Sequence, residues 1–461
     1  MVTIWTPALD NYAGPRYKAL AAAIADAVQN GELEIGGNLP PQRRLADALC
    51  VTIGTVTRAY AEAERLGIVE ARVGSGTYVS EQDSSTIFKE EETDSSLIDL
   101  SLSKMPRVAR EPFLAKSLHA IQHDPVRLNR CLSYQLQAGN PYHRSVFSQW
   151  LSKNKLPSNP EQMVLTQGGL HALSIALHAL CKPGDVVLAE GLSYPGFIEA
   201  AKQQSLKTVP VAFDNEGMLP DALVSTLKQT NARAMYLMPS MHNPAATCMP
   251  LERRQAIVNI ALQHKLLIIE DEVPYIPVAK RIATMSSMAP DIVLSISSFS
   301  KILAGGFRIG CIVAPPHLFA KVEHALRANC WMATALSAEV VCHWIESGAA
   351  DAVINLQHKS ILERQALLNK YLADFHYTSQ AHAVHAWLHL PETWKAWQFI
   401  ETLRKLNILV IGCETFSVGR YLCQPGVRIC IGEASINQLE TALKMIRSTL
   451  NSPPENYQQI M

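Results

Sequence analysis

Apolar residues recur at two different periods along this chain, and the change of period divides it. Over the first eighty residues the spacing is helical. Tyr17, Leu20, Ala21, Ile24 and Val28 share one face of a helix that Gly31 stops. Pro40-Pro41 opens a second helix through Leu45, Ala46 and Leu49, and Val51-Thr52 makes a tight turn. A third helix buries Val56, Ala59, Tyr60, Ala63 and Leu66 and ends at Gly67. Ile68 to Val73 and Thr77-Tyr78-Val79, joined at Gly74-Ser75-Gly76, predict a hairpin. Farther on, helical patterns alternate with short aliphatic runs. These runs are Val186 to Ala189, Ala234 to Met238, Leu266 to Glu270, Ile292 to Ile296 and Gly310 to Ala314. They predict strands buried on both faces, hence an α/β fold with a largely parallel sheet. In such sheets ligands gather at the carboxyl ends of the strands. Asn243, Asp271 and Lys301 each follow one of these runs.

Between the two patterns lies a polar stretch. From residue 81 to 99 seven acidic residues (Glu81, Asp83, Glu90, Glu91, Glu92, Asp94, Asp99) stand against Lys89 alone. This composition cannot bury enough apolar surface to order itself. It predicts an acidic flexible linker at 81–97, between a head at 1–80 and a body at 98–455. The length, 461 residues, agrees with two to three domains. Apolar residues make up 48% and charged residues 18%, a soluble globular balance. No apolar run approaches the ~18 residues a membrane span needs. Met1 to Asp10 lacks the basic and apolar regions of a signal peptide. The ten cysteines form no Cys-x-x-Cys pair, which argues against a metal site, and the lack of a signal argues against a disulfide framework. The chain reads as cytoplasmic, with reduced thiols.

Three helices, a tight turn between the last two and a terminal hairpin make a winged helix-turn-helix, whose last helix enters the major groove of DNA. Thr55, Thr57 and Arg58 lie away from the core of that helix, and Thr52 lies in the turn before it. Their side chains can bond phosphates or base edges. Arg43 and Arg44 suit backbone contacts, and Gly74 lets the wing approach a phosphate closely. The charge balance does not help this reading: net charge is zero overall, and residues 1–80 carry seven Lys/Arg against eight Asp/Glu. A small docking domain with a solvated polar face is the alternative. The motifs decide between them. Leu39-Pro40-Pro41-Gln42-Arg43-Arg44-Leu45-Ala46, then Val51 to Tyr60, then Gly74 to Val79, closely resemble the DNA-binding head of GntR-family regulators.

The chemistry of the body centres on Ser297 to Gly310. Lys301 follows Ser298 and Ser300, with Gly305, Gly306 and Arg308 behind. An amine, hydroxyls and a guanidinium are what pyridoxal 5'-phosphate (PLP) requires, for its aldehyde and its phosphate. A solvated Ser-rich loop is the alternative. The segment from about 98 to 450 resembles a fold-type I aminotransferase. That resemblance implies Lys301 as the Schiff-base lysine and Asp271 as the partner of the pyridine nitrogen. It implies Asn243 as donor to the phenolic oxygen and Tyr194 as the residue stacked on the ring. Gly168, Gly169, Ser298, Ser300 and Arg308 would form the phosphate cup, with Tyr134 reaching it from a partner subunit. Arg428 would clamp a substrate carboxylate. Two positions depart from the family: Gln167 replaces a Ser or Thr of the phosphate turn, and Tyr275 lies four residues after Asp271 rather than two or three.

A GntR-like head followed by an aminotransferase-like body resembles the MocR-type regulators. The resemblance implies a homodimer that binds operator DNA and senses PLP, an amino acid or an amine. Two further readings stand beside it: a working aminotransferase with a DNA-binding appendage, and a binding module with a dead cofactor site. Retention of Lys301, Asp271, Asn243 and Arg308 together speaks against the second.

Overall fold

The computed structural model describes residues 5–12, 14–29, 32–34, 36–65, 68–72, 76–79, 97–419 and 421–452. The chain divides into two compact units, Met1–Ser95 and Ser96–Met461. Gly74 and residues 81–96 of the expected linker lie outside the described residues.

The first unit holds helices α1 (Arg16–Gln29), α2 (Gln42–Ala48) and α3 (Ile53–Arg65) and a hairpin of β1 (Val69–Arg72) and β2 (Gly76–Val79). Val69 stands opposite Val79. Leu20, Ile24, Leu45, Val56, Ala59 and Val79 form the middle of its core. Thr52 starts α3 by a side-chain cap: its Oγ1 accepts from the Thr55 N–H at 3.2 Å. The Tyr60 hydroxyl donates to the Pro40 carbonyl at 2.7 Å, tying α3 to the stretch that opens α2. At Gly76 the chain needs φ +118°, and a Cβ would stand 3.0 Å from Asn38 Oδ1.

The second unit begins with β3 (Ile98–Asp99). Its main sheet has seven strands: β4 (Met163–Thr166), β5 (Val186–Glu190), β6 (Lys207–Val211), β7 (Ala232–Leu237), β8 (Leu267–Asp271), β9 (Val293–Ser298) and β10 (Gly310–Val313). Their spatial order is β4-β10-β9-β8-β7-β5-β6. Only β10 runs antiparallel to its neighbours. β4 and β9 are buried at every position, because separate apolar cores cover the two faces of the sheet. Helix α4 (Gly169–Leu180) follows β4, and a single-turn helix α5 (Phe299–Ile302) follows β9.

A smaller antiparallel sheet stands apart: β11 (Tyr377–Thr378), β12 (His385–His389), β13 (Ile411–Gly412) and β14 (Gly426–Cys430), in the order β11-β12-β14-β13. Long helix α6 (Ala349–Leu372) and the last helix α7 (Ile436–Asn451) pack their apolar faces on it, through Leu368, Leu372, Leu439 and Leu443. Among the described residues no helix is long and apolar enough to cross a membrane.

Candidate functional site

Parallel pairing fixes where the chemistry lies. Asp271, the last residue of β8, stands beside Ile296 of β9. The end of β9 therefore sets Ser298, and Lys301 on α5, at the same edge of the sheet as Asp271. The chain beyond β7 brings Asn243 there, and β14 of the small sheet contributes Arg428. Between them lies a cavity of about 550 Å³, whose walls include Lys301, Asp271, Asn243, Tyr194, Arg308 and Arg428.

Lys301 is on a helix, not in the solvated loop that its Ser-rich neighbourhood allowed. Its ammonium donates to the carbonyl of Ser103. Burial lowers its pKa, and the positive charges of Arg428 and Arg308 act the same way. The neutral, nucleophilic amine is thus easier to reach than at an exposed lysine.

Asp271 is 4% exposed, and both carboxylate oxygens accept hydrogen bonds. Oδ2 accepts from the Tyr236 hydroxyl at 2.6 Å, and Oδ1 accepts from the Val273 N–H at 2.9 Å. Burial pushes its pKa up to about 6, against the pull of these two donors. Tyr236 is buried and stacks on Phe197 at 4.4 Å between ring centroids. Nothing in the sequence marked it, since a tyrosine in an aliphatic strand is ordinary β composition.

On one side of Lys301 lies a cup of small groups. Gly168, at φ +84°, and Gly169 lead into α4. The helix start presents backbone N–H groups and the positive end of its dipole. Ser298 Oγ caps α5, accepting from Ser300 N–H at 3.2 Å. Arg308 Nη2 donates to the Gln167 carbonyl at 3.3 Å, and Nη1 is 3.4 Å from Ser300 Oγ. A Cβ at Gly168 would stand 2.7 Å from Arg308 Nη2, and one at Gly169 would stand 2.6 Å from a Val273 methyl. The left-handed φ favours glycine at 168, and the close approach of Val273 favours it at 169. This anion cradle beside an amine and a carboxylate fits the phosphate, aldehyde and ring nitrogen of PLP.

On the other side Arg428 is 5% exposed. Its Nη1 donates to Asn243 Oδ1 at 2.7 Å, and Nη2 donates to the Ser101 carbonyl at 2.6 Å. The guanidinium lies 4.8 Å from the centroid of the Phe416 ring. Carbonyls of one short segment after β3 thus meet both cations, Ser103 at Lys301 and Ser101 at Arg428. Backbone acceptors carry no residue signature, so sequence reading could not find them.

Tyr194 and Tyr275 both line the cavity, and burial raises both hydroxyls. Tyr134 does not line it: its side chain is 87% exposed and meets the edge of Trp331 at 6.3 Å.

In the first unit Arg43, Arg44, Thr52, Thr57 and Arg58 are exposed, and Thr55 is half-buried. Thr57 is already engaged, donating to Gln42 Oε1 at 2.7 Å and lying 3.0 Å from the Ile53 carbonyl. Thr52 caps α3, with its hydroxyl 2.9 Å from that of Thr55.

Comparison with known proteins agrees with both units. Residues 97–446 match the family of class I and II aminotransferases, and residues 16–79 match the gntR family of bacterial regulatory proteins. A helix-turn-helix-type transcriptional regulator of Bacillus subtilis, YdeF, is 28% identical over 97% of both chains. Another, YdcR of Escherichia coli, is 26% identical over 88% of this chain and 92% of its own. In fold, the body is similar to kynurenine aminotransferase of Pyrococcus horikoshii. For that enzyme the TM-score is 0.71 and the identity 20%, over 80% of this chain and 96% of that one. The α-aminoadipate aminotransferase LysN of Thermus thermophilus gives 0.69 at 20% identity, over 77% and 92%. The chain belongs to the class I and II aminotransferase family, and with a GntR-type head before that body it is a helix-turn-helix transcriptional regulator of MocR-type architecture.

Proposed function

We propose that this regulator binds PLP in its body, reads an amino acid or amine there, and passes that state to operator DNA held by its head. The observation that carries the reading is the convergence of Lys301, Asp271 and the Gly169–Ser298–Arg308 cradle on one cavity. Bound PLP would supply an aldehyde that condenses with amines and a ring that withdraws electrons. Lys301 would hold the aldehyde carbon. Asp271, ionised above about pH 6, would keep a proton on the ring nitrogen, with Tyr236 steadying the carboxylate. Asn243 would donate to the phenolic oxygen, and Tyr194 would cover the ring face. Ser298, Ser300, Arg308 and the α4 N-terminus would hold the phosphate, and Arg428 would take the effector's carboxylate. Tyr275 lines the same cavity.

The exposure of Tyr134 supports a homodimer in which this side chain reaches the partner's phosphate cradle. In the head, Arg43, Arg44 and Arg58 are available to DNA, while Thr52 and Thr57 have structural bonds of their own. The proposed division is a head at 1–80, a linker at 81–97 and a body at 98–455. A second reading, a working aminotransferase, is favoured by the presence of Lys301, Asp271 and Arg428 in one site. Steady turnover of an amino donor with a keto-acid acceptor separates the two. For the cofactor itself, purified protein should show a visible absorption band and a borohydride-reducible adduct that Lys301→Ala abolishes. An adduct persisting on another lysine would refute the assignment.

A further inference from the structure

Part of the cavity wall has no role in the proposed cofactor contacts, and that part is largely apolar. Leu102, Met105, Leu170 and Ile411 all line it. Two of them stand where an effector must lie. Ile411 of β13 is directly opposite Arg428 of β14. Opposed residues of an antiparallel pair share a face, with roughly 4.5–5.5 Å between their Cβ atoms. Leu102 lies between Ser101, whose carbonyl accepts from Arg428, and Ser103, whose carbonyl accepts from Lys301. A molecule that spans these two cations therefore passes beside Leu102. Leu102 is 45% exposed and lines the cavity, so it is within reach of a molecule there.

The charges of the wall are already committed. Asp271 is the only carboxylate among the described residues that line the cavity. Its oxygens accept from Tyr236 and Val273, and in the cofactor reading it serves the ring nitrogen. A cationic side chain would meet Lys301, Arg308 and Arg428 with no anion left to pair with it. Among the cations of the wall only Lys104 has no role in that reading, and its ammonium lies 2.7 Å from each oxygen of Glu433. A second carboxylate would have to break that pair. His382 also lines the cavity, and burial pushes its ring down to about 4, so it carries no charge at neutral pH. A charge taken out of water against two aliphatic side chains, with no partner, is costly. An apolar side chain placed there gains by leaving water.

We propose that Leu102 and Ile411 form the side-chain pocket of the effector site, and that the effector is an α-amino acid with an apolar side chain rather than one with a second charge. This rests on the cofactor reading, which places the α-amine at Lys301 and the carboxylate at Arg428.

The test is a spectral titration of the full-length protein carrying PLP with ligands of similar shape: L-leucine against L-aspartate, and L-norleucine against L-lysine. In both pairs the apolar member should half-saturate at a concentration tenfold or more lower. Leu102→Ala should raise the half-saturating concentration of L-leucine fivefold or more relative to that of L-alanine, whose methyl is too short to fill the pocket. The wild-type ratios decide alone if the variant does not fold. A charged member within tenfold of its apolar match overturns the proposal, as does a leucine-to-alanine ratio that Leu102→Ala leaves unchanged. A visible band that none of these amino acids perturbs overturns it too, and leaves the cofactor reading standing. No band and no reducible adduct refutes the cofactor reading and this proposal with it.

Discussion

The head and the body place their chemistry in opposite ways. In the head the groups available to a partner are exposed side chains within a few helical turns of one another, Arg43, Arg44 and Arg58. In the body they are buried or half-buried groups from segments far apart in sequence: Ser101, Gly168, Asn243, Asp271, Lys301 and Arg428. A surface site tolerates substitution without loss of the fold, because its side chains support nothing beneath them. A buried site holds charges that depend on their partners, so removing one partner strands another. The two regions should therefore fail differently when altered.

The sharpest contrast comes from Lys301→Ala. The reducible adduct should vanish, while the thermal unfolding of the head should change little. Concomitant loss of specific DNA binding in the presence of PLP would show that the head depends on the loaded body.

Next in size is Glu339, fully buried in the body. Arg130 Nε and Nη2 donate to its carboxylate at 3.0 Å each, and His143 Nε2 lies 2.7 Å from it. Burial alone would raise this carboxyl, but the His143 and Arg130 hydrogen bonds hold it down to about 2. The folded value lies below the unfolded value, so the stabilisation is present above about pH 4.5. It is lost as pH falls from there toward 2. Glu339→Gln should cost the body about 3 kcal/mol at neutral pH, and the difference from wild type should shrink in acid. Chemical denaturation at pH 7 and pH 4 measures both. A constant difference would mean that the charge of Glu339 does not supply this stability.

Smaller effects are expected in the head. Arg43→Ala, or Thr55→Ala with Arg58→Ala, should weaken operator binding by about 1–3 kcal/mol and leave PLP absorbance unchanged. Each lost phosphate contact should lower the salt slope by about 1. Unchanged affinity in both variants would rule out this face. Thr57→Val should act through the fold instead, because Thr57 bonds Gln42 within the head.

The smallest effect tests the support behind the cofactor. Tyr236→Phe removes one of the two donors to Asp271, and should weaken PLP binding by about 1 kcal/mol and move its pH dependence upward. As pH falls through about 6 Asp271 gains a proton, so affinity should drop on the acid side. In Asp271→Asn that component should be absent. Fluorescence titration across pH reads it.

How much of this was legible in the sequence follows from the same contrast. The head was readable because its helices, turn and hairpin are set by local patterns, from the Leu45–Leu49 face to the cap at Thr52. For Thr57, helical phase gives the exposed position but not what its hydroxyl bonds. In the body, the order of aliphatic runs indicated the main sheet, and strand ends pointed to Asn243, Asp271 and Lys301. The small sheet was missed apart from Arg428, because two of its strands are two residues long and His385 and His389 cut the apolar run of β12 to three residues. Ser101 and Ser103 act through backbone carbonyls, which any residue has. Tyr236 is distinguished only by a partner 35 residues away.

The central claim is that ligand in the body and operator at the head are energetically coupled. Coupling free energy is reciprocal, so it can be measured from either side. PLP, and then an amino ligand, should be titrated by absorbance into the full-length protein, with its oligomeric state measured by sedimentation, in the absence and presence of saturating operator DNA. The operator should shift the apparent ligand affinity by the same factor by which ligand shifts operator affinity. Identical ligand curves with and without operator would mean that the two units are tethered without coupling, and the working-aminotransferase reading would then take precedence.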